Sequence, residues 1–144
     1  MKIRSGFVSN SSSSSFIVDF DGEPTIEKIK NILSSYGEFE DLDYSAKCFM
    51  DNLTLLTEED IKARIKEYKK WKMGTGKLEH KLKLLKEHHK GLYEIYISDH
   101  RDEDPWAIMN VKRNADGDIE DYDVLECELQ WSHTYPIIDW ESCH

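Results

Sequence analysis

The sequence predicts an α+β fold, an antiparallel sheet of four to five strands packed by about three helices. Two periodicities lead there. Between residues 57 and 90 apolar side chains recur every three to four positions, and from residue 91 onward they alternate with polar ones. A third observation is the order: one short alternating stretch, then helical patterns, then three or four strand patterns, which is α+β rather than α/β organisation. A chain of 144 residues is expected to be a single domain spanning 1–144. At that length roughly two-thirds of the unfolded surface can be buried, so one core covered on one face by the helices is the simplest arrangement.

The elements follow in order. Residues 1–15 read as a serine-rich leader, and Phe16, Val18 and Phe20 alternate with Ile17 and Asp19 as a strand. Asp21-Gly22-Glu23-Pro24 makes a turn, after which Ile26, Ile29, Ile32 and Leu33 form a helical stripe that ends before Gly37. Residues 38–56 hold apolar residues without a sustained period and read as irregular, with a short strand or helical turn near Lys47 to Asn52. Thr57, followed by Glu58, Glu59 and Asp60, is a helix N-cap with carboxylates at the positive end of the helix dipole. Ile61, Ile65, Tyr68 and Trp71 then share a stripe. Gly74-Thr75-Gly76 breaks the pattern, and Leu78, Leu82, Leu85 and His89 repeat it, so residues 57–90 predict a helical hairpin with its apolar stripe in the core.

Beyond Gly91 the period changes to two. Tyr93, Ile95 and Ile97 share a strand face, Trp106 to Val111 reads as the next strand, and Asn114-Ala115-Asp116-Gly117 has hairpin-turn chemistry. Leu125, Cys127, Leu129 and Trp131 alternate with Glu126, Glu128 and Gln130, which predicts a half-buried strand with a wet acidic face. Tyr135 to Trp140 suits an edge strand, where Pro136 is tolerated.

Charge is segregated along the chain. The whole carries −10, yet residues 62–90 carry +8 from 11 basic and three acidic residues. The acidic total disfavours general nucleic-acid binding, while a local basic face could still meet phosphates. Cys48, Cys127 and Cys143 form no CxxC pair in a chain that needs no staples, so free thiols and a cytoplasmic setting are expected. No apolar run is long enough for a membrane span, and no membrane partner is expected.

The opening string RSGFVSNSSSSSF, Arg4 to Phe16, resembles an N-terminal stretch that recurs at the start of many small uncharacterised proteins of bacteria and tailed phages. The resemblance covers about the first 18 residues. It implies a bacterial or phage setting and no activity. The serines Ser11, Ser12, Ser13, Ser14 and Ser15 are candidates for phosphate binding or modification, since hydroxyls beside backbone amides can line an anion site; the alternative is a solvated leader.

Other constellations are weaker. His80 and His88 lie eight residues apart on one helix, about 12 Å, too far to share an ion, and no metal or cofactor is expected. The run from Lys112 to Asp123 matches part of a calcium loop, but Lys112 occupies the first ligand position, so a hairpin turn is the expected structure. Asp99, His100 and Asp102 hold a base and acids in one loop and are the candidate catalytic residues; no phosphate loop or nucleophile elbow accompanies them, and a non-enzymatic role is favoured. Cys127 with His133 is a second thin candidate, a thiol–imidazole pair.

The expected function is therefore a small acidic cytosolic binding protein that meets a macromolecular partner, a protein, through its segregated charge. Candidate binding residues are Glu126 and Glu128 on the acidic strand face and Lys81 and Lys86 on the hairpin, with the acidic face favoured. The alternatives are an enzyme or metal protein using the His100 loop, and nucleic-acid binding by the hairpin. The sequence carries no indication of oligomeric state.

Overall fold

The computed structural model describes residues 13–132 and 134–143. Its architecture is α+β, with a four-stranded antiparallel sheet, a separate two-stranded sheet and five helices among the described residues. The main sheet has the order β2 (Thr54–Leu55), β3 (Tyr93–Ser98), β1 (Ser13–Val18), β6 (Ile137–Cys143). Strands β4 (Ile108–Arg113) and β5 (Ile119–Val124) form the two-stranded sheet. The helices are α1 (Ile26–Ser34), α2 (Leu42–Asp51), α3 (Glu58–Lys70), α4 (Gly76–Glu87) and α5 (Leu125–Ser132).

Strand β1 is central, and its alternation sorts the helices onto two faces. Phe16 and Val18 point to one side, where they join Ile29, Leu33, Phe49, Ile95, Leu125 and Leu129 in the larger core. Ile17 points to the other, where Leu56, Ile61, Leu78 and Leu92 form a second core with Ile65, Tyr68 and Leu82 at its margin. The expectation of one core covered on one face is thus corrected: α1, α2 and α5 pack on one side, and the α3–α4 hairpin on the other. The physical reason is that Phe16, Ile17 and Val18 are consecutive apolar residues on a strand, so both faces must be covered to remove them from water.

The hairpin forms as its sequence predicts. Thr57 caps α3 by accepting from the Asp60 N–H at 3.1 Å. The apolar stripe does pack inward, with two exceptions: Trp71, expected on it, lies at the tip and is 65% exposed, and His89 lies past the end of α4 and is exposed.

Two segments differ from expectation. Residues 42–51, expected to be irregular, form α2, capped by Asp41, which accepts from Tyr44 N–H. Its inward face is Ser45, Ala46 and Phe49, and Ser45 donates to the Trp106 carbonyl at 2.7 Å, tying α2 to the 3-10 turn Pro105–Ala107. With Ser45 and Ala46 inward, Phe49 is the one large apolar residue buried on this face, too few to show a helical period. Residues 125–132, expected to be a strand, form α5. Leu125 and Leu129, one helical turn apart, are both fully buried, and the segment from 125 to 131 contains no β-branched residue.

The small sheet is held by a close approach. A Cβ on Gly37 would lie 2.9 Å from Met109 Sδ and 3.0 Å from the Asn110 amide group, so any larger residue would have to displace these two side chains. Beside it Asn110 N–H donates to the Glu38 carbonyl and the Asn110 side chain accepts from Glu38 N–H. The turn joining β4 and β5 is the expected one: Gly117 has φ +87°, and Asn114 Oδ1 accepts from the Asp116 and Asp118 amides.

Candidate functional site

The face of the main sheet that meets the hairpin carries charge as well as apolar packing. Ser15 and Ile17 of β1, Glu94 and Tyr96 of β3, and Asp139 and Glu141 of β6 share this face by register. Helix α4 lays Lys81 across it. Lys81 is only 5% exposed, and its Nζ donates to Glu94 Oε2 at 2.7 Å and pairs with Glu141 Oε1 at 3.0 Å. Glu94, 1% exposed, also accepts from Ser15 Oγ at 2.8 Å and from Arg64 of α3 at 3.5 Å.

The charges set one another. Burial alone would favour the neutral amine of Lys81, but the hydrogen bond and charge of Glu94, then those of Glu141, outweigh it and hold the amine above its ordinary pKa. Burial likewise pushes Glu94 upward, and the opposing hydrogen bonds and charges of Lys81, Ser15 and Arg64 bring it below the ordinary carboxylate value. Both groups are ionised at neutral pH, in a site where a lone charge would be costly.

Two clefts open beside this cluster and share Gly76, Lys77, Lys81 and Glu141. One, of about 500 Å³, adds His80, Asp139 and Trp140. The other, of about 420 Å³, adds Arg64, Tyr68 and Tyr96.

Lys81 was expected as a binding residue on the polar face of the hairpin; it is instead a buried partner of two carboxylates. It falls between Leu78 and Leu82 on the helix, so the inward arc of α4 is wider than the leucine stripe and takes in one lysine. Lys86, by contrast, is exposed as expected.

Glu126 is corrected in the same sense. Placed on α5 rather than on a strand, it is 2% exposed on the opposite face of the sheet. There it accepts from Ser14 Oγ at 2.5 Å and from Gln130 Nε2 at 2.6 Å, and Gln130 also reaches Ser14. Glu128 is half-buried, so no wet acidic strand face exists at this place. The neighbouring Cys127 thiol is pushed up to about 11, by burial first and then by the Glu126 carboxylate. A thiol so poorly ionised is not an activated nucleophile. His133, its suggested partner, lies outside the described residues, as do Ser11 and Ser12.

The remaining serines are not a solvated leader. Ser13 begins the central strand, and Ser14 and Ser15 are buried with their hydroxyls committed to Glu126 and Glu94. A hydroxyl that donates to a carboxylate is a poor phosphate ligand, because the carboxylate repels the anion. These two serines instead link β1 to α5 on one face and to the hairpin site on the other.

The loop after β3 is a tied turn. Asp104 accepts from Ser98 N–H at 2.7 Å, Glu103 from Ser98 Oγ at 2.6 Å, and His100 Nδ1 from Asp102 N–H at 3.2 Å. These bonds assign local structural work to the candidate catalytic residues His100 and Asp102, with Asp99 beside them and electrostatically felt by Cys127. Among the described residues no group of three or more His, Cys, Asp or Glu side chains is placed to hold a metal ion. No helix of the described residues is long and apolar enough to cross a membrane.

Sequence reasoning missed Arg64, Glu94 and Glu141. Glu94 lies on the face of β3 opposite Ile95 and Ile97, the side that alternation reads as polar, and only the hairpin covering that face makes it a buried carboxylate in need of a cation. Compared with family models, with curated proteins and with solved structures, the chain matches none.

Proposed function

We propose that this is a cytosolic binding protein whose basic helical hairpin docks onto an acidic surface of a protein partner. One observation carries the reading. On the outer face of the hairpin Lys66, Lys69, Lys70, Lys72, Lys83 and Lys86 are exposed and have no ion-pair partner among the described residues, whereas Lys62, Lys77 and Lys90 do. The hairpin tip adds Trp71 and Met73, both more than half exposed. Tryptophan and methionine are enriched in protein interfaces, the surrounding lysines would steer an acidic partner, and a total charge of −10 opposes long-range attraction to nucleic acid. The free thiols of Cys48 and Cys127 agree with a reducing compartment, and the opening string supports a bacterial or phage setting.

The working surface is therefore the basic one, in place of the acidic strand face expected from alternation, since Glu126 is buried. The test is charge reversal at Lys66, Lys70, Lys83 and Lys86 to Glu, with retention of a host protein measured at low and moderate salt after nuclease treatment. Loss of one defined protein with the hairpin variant, and a steep fall with salt for the native chain, is the expected result. Retention that survives charge reversal refutes the docking surface, and a signal abolished by nuclease transfers the role to nucleic acid.

A further inference from the structure

The cleft of about 420 Å³ between the hairpin and the sheet has the makings of a ligand site that the docking surface does not use. Its lining brings together Arg64, Lys77 and Lys81, with Glu141 at the wall and Glu94 behind. Three cations against two carboxylates leave one positive charge uncompensated in a partly enclosed space, where a counter-charge gains more than it would in open water. The donors are also under-used. Among the described residues Arg64, with five N–H groups, makes one long contact, 3.5 Å, to Glu94, and Lys81, with three, uses two, on Glu94 and Glu141. Tyr68 and Tyr96 supply aromatic surface in the same cleft, and the volume lies in the lower range of small-molecule sites.

We infer that this cleft binds a small organic anion, with a carboxylate or phosphate-monoester head met by Arg64 and Lys77 and a flat apolar body against Tyr68 and Tyr96. Arg64 is the residue suited to the head, because the guanidinium fork matches both groups in a bidentate manner. Lys81 is the fixed floor: its two carboxylate bonds hold it in place, so its charge is present before the ligand arrives. The two ends of the cleft thus ask for different chemistry, and a bare ion satisfies only one of them.

The test uses the full chain, labelled with nitrogen-15, titrated with phenyl phosphate, benzoate, inorganic phosphate and phenol. The expected result is a saturable shift of the Arg64 side-chain signal with phenyl phosphate or benzoate, at least about tenfold tighter than with inorganic phosphate or phenol. Whichever of the two aryl anions binds more tightly identifies the head group. Arg64→Leu should weaken binding about tenfold or more, and Tyr96→Ala should weaken the aryl probes while leaving inorganic phosphate unchanged. Because Arg64 also touches Glu94, a thermal melt accompanies that variant; Lys77→Ala, at an exposed position, removes head-group charge and frees only Glu141, which still holds Lys81. No saturable shift with either aryl anion up to about 10 mM overturns the inference, since even weak small ligands bind in the millimolar range. So does equal affinity for phenyl phosphate and inorganic phosphate, or unchanged binding in both the Arg64→Leu and Lys77→Ala proteins.

Discussion

Replacing Lys81 with Met tests the central claim that a lysine in a run of surface lysines is a buried structural cation. The amine lies 2.7 Å from Glu94, and the two side chains are 6% and 1% exposed. At an effective dielectric of about 20 the gross attraction is roughly 6 kcal/mol, of which most is offset by removing two ions from water. The intact pair is therefore worth little net, while an isolated Glu94 is expensive. Truncating one partner of a buried pair costs about 3 to 5 kcal/mol, and Arg64 and Ser15, which still touch Glu94, put the expectation near 3. With a urea slope of roughly 2 kcal/mol/M, that lowers the midpoint by about 1.5 M, read by tryptophan fluorescence. The double variant Lys81→Met with Glu94→Leu should regain most of the loss, because no fully buried charge is then left alone: Glu141 keeps Lys77, and Arg64 is partly exposed. The pH dependence has a definite sign. Glu94 is depressed in the fold, so its contribution is present above the unfolded carboxylate value of about 4.3 and is lost as pH falls through its folded pKa. Lys81 is raised, so its contribution is complete below about 10.4 and is lost as pH rises through its folded pKa. The gap between native and Lys81→Met proteins should stay flat from about pH 6 to 10 and close in acid, where protonation relieves the stranded Glu94. A Lys81→Met protein within about 1 kcal/mol of the native chain at pH 7 would falsify the buried-pair account.

Other outcomes follow from the same geometry. Ile61→Ala, at a fully buried position, should cost about 2 to 5 kcal/mol, and Leu82→Ala, only partly buried, clearly less; equal midpoints in urea would contradict the second core. Glu126→Lys should destabilise by about 3 kcal/mol or more by placing a cation among buried groups, whereas Lys86→Glu at an exposed site should stay within about 0.5 kcal/mol, both read by thermal melts. Cys127, with its thiol near 11, should be alkylated at pH 8 about 20-fold more slowly than an ordinary free thiol. That figure combines a thiolate fraction smaller by roughly 200-fold with the higher nucleophilicity of a more basic thiolate. An ordinary rate, followed by mass spectrometry, would show that burial and Glu126 together do not raise it.

Local chemistry and unambiguous period were enough for part of this fold. Thr57 and its three following acids start α3, Gly74 to Gly76 separate the helices, Asp116-Gly117 turns the small hairpin, and Tyr93, Ile95 and Ile97 define β3; each depends on neighbours within a few residues. The α+β class follows from their order. Two kinds of fact were decided only by tertiary structure. One is the identity of a segment whose pattern fits two periods: Leu125-Glu126-Cys127-Glu128-Leu129 satisfies alternation and a helical turn alike, and it became a helix whose Glu126 meets Ser14, 112 residues away. The other is which polar side chains go inside. Lys81 does not differ locally from Lys83 or Lys86, and its burial depends on Glu94 and Glu141 arriving from two strands of the sheet. A charge enters a protein interior only with its partners, and those partners are chosen by the sheet order β3-β1-β6, which no short stretch of sequence encodes.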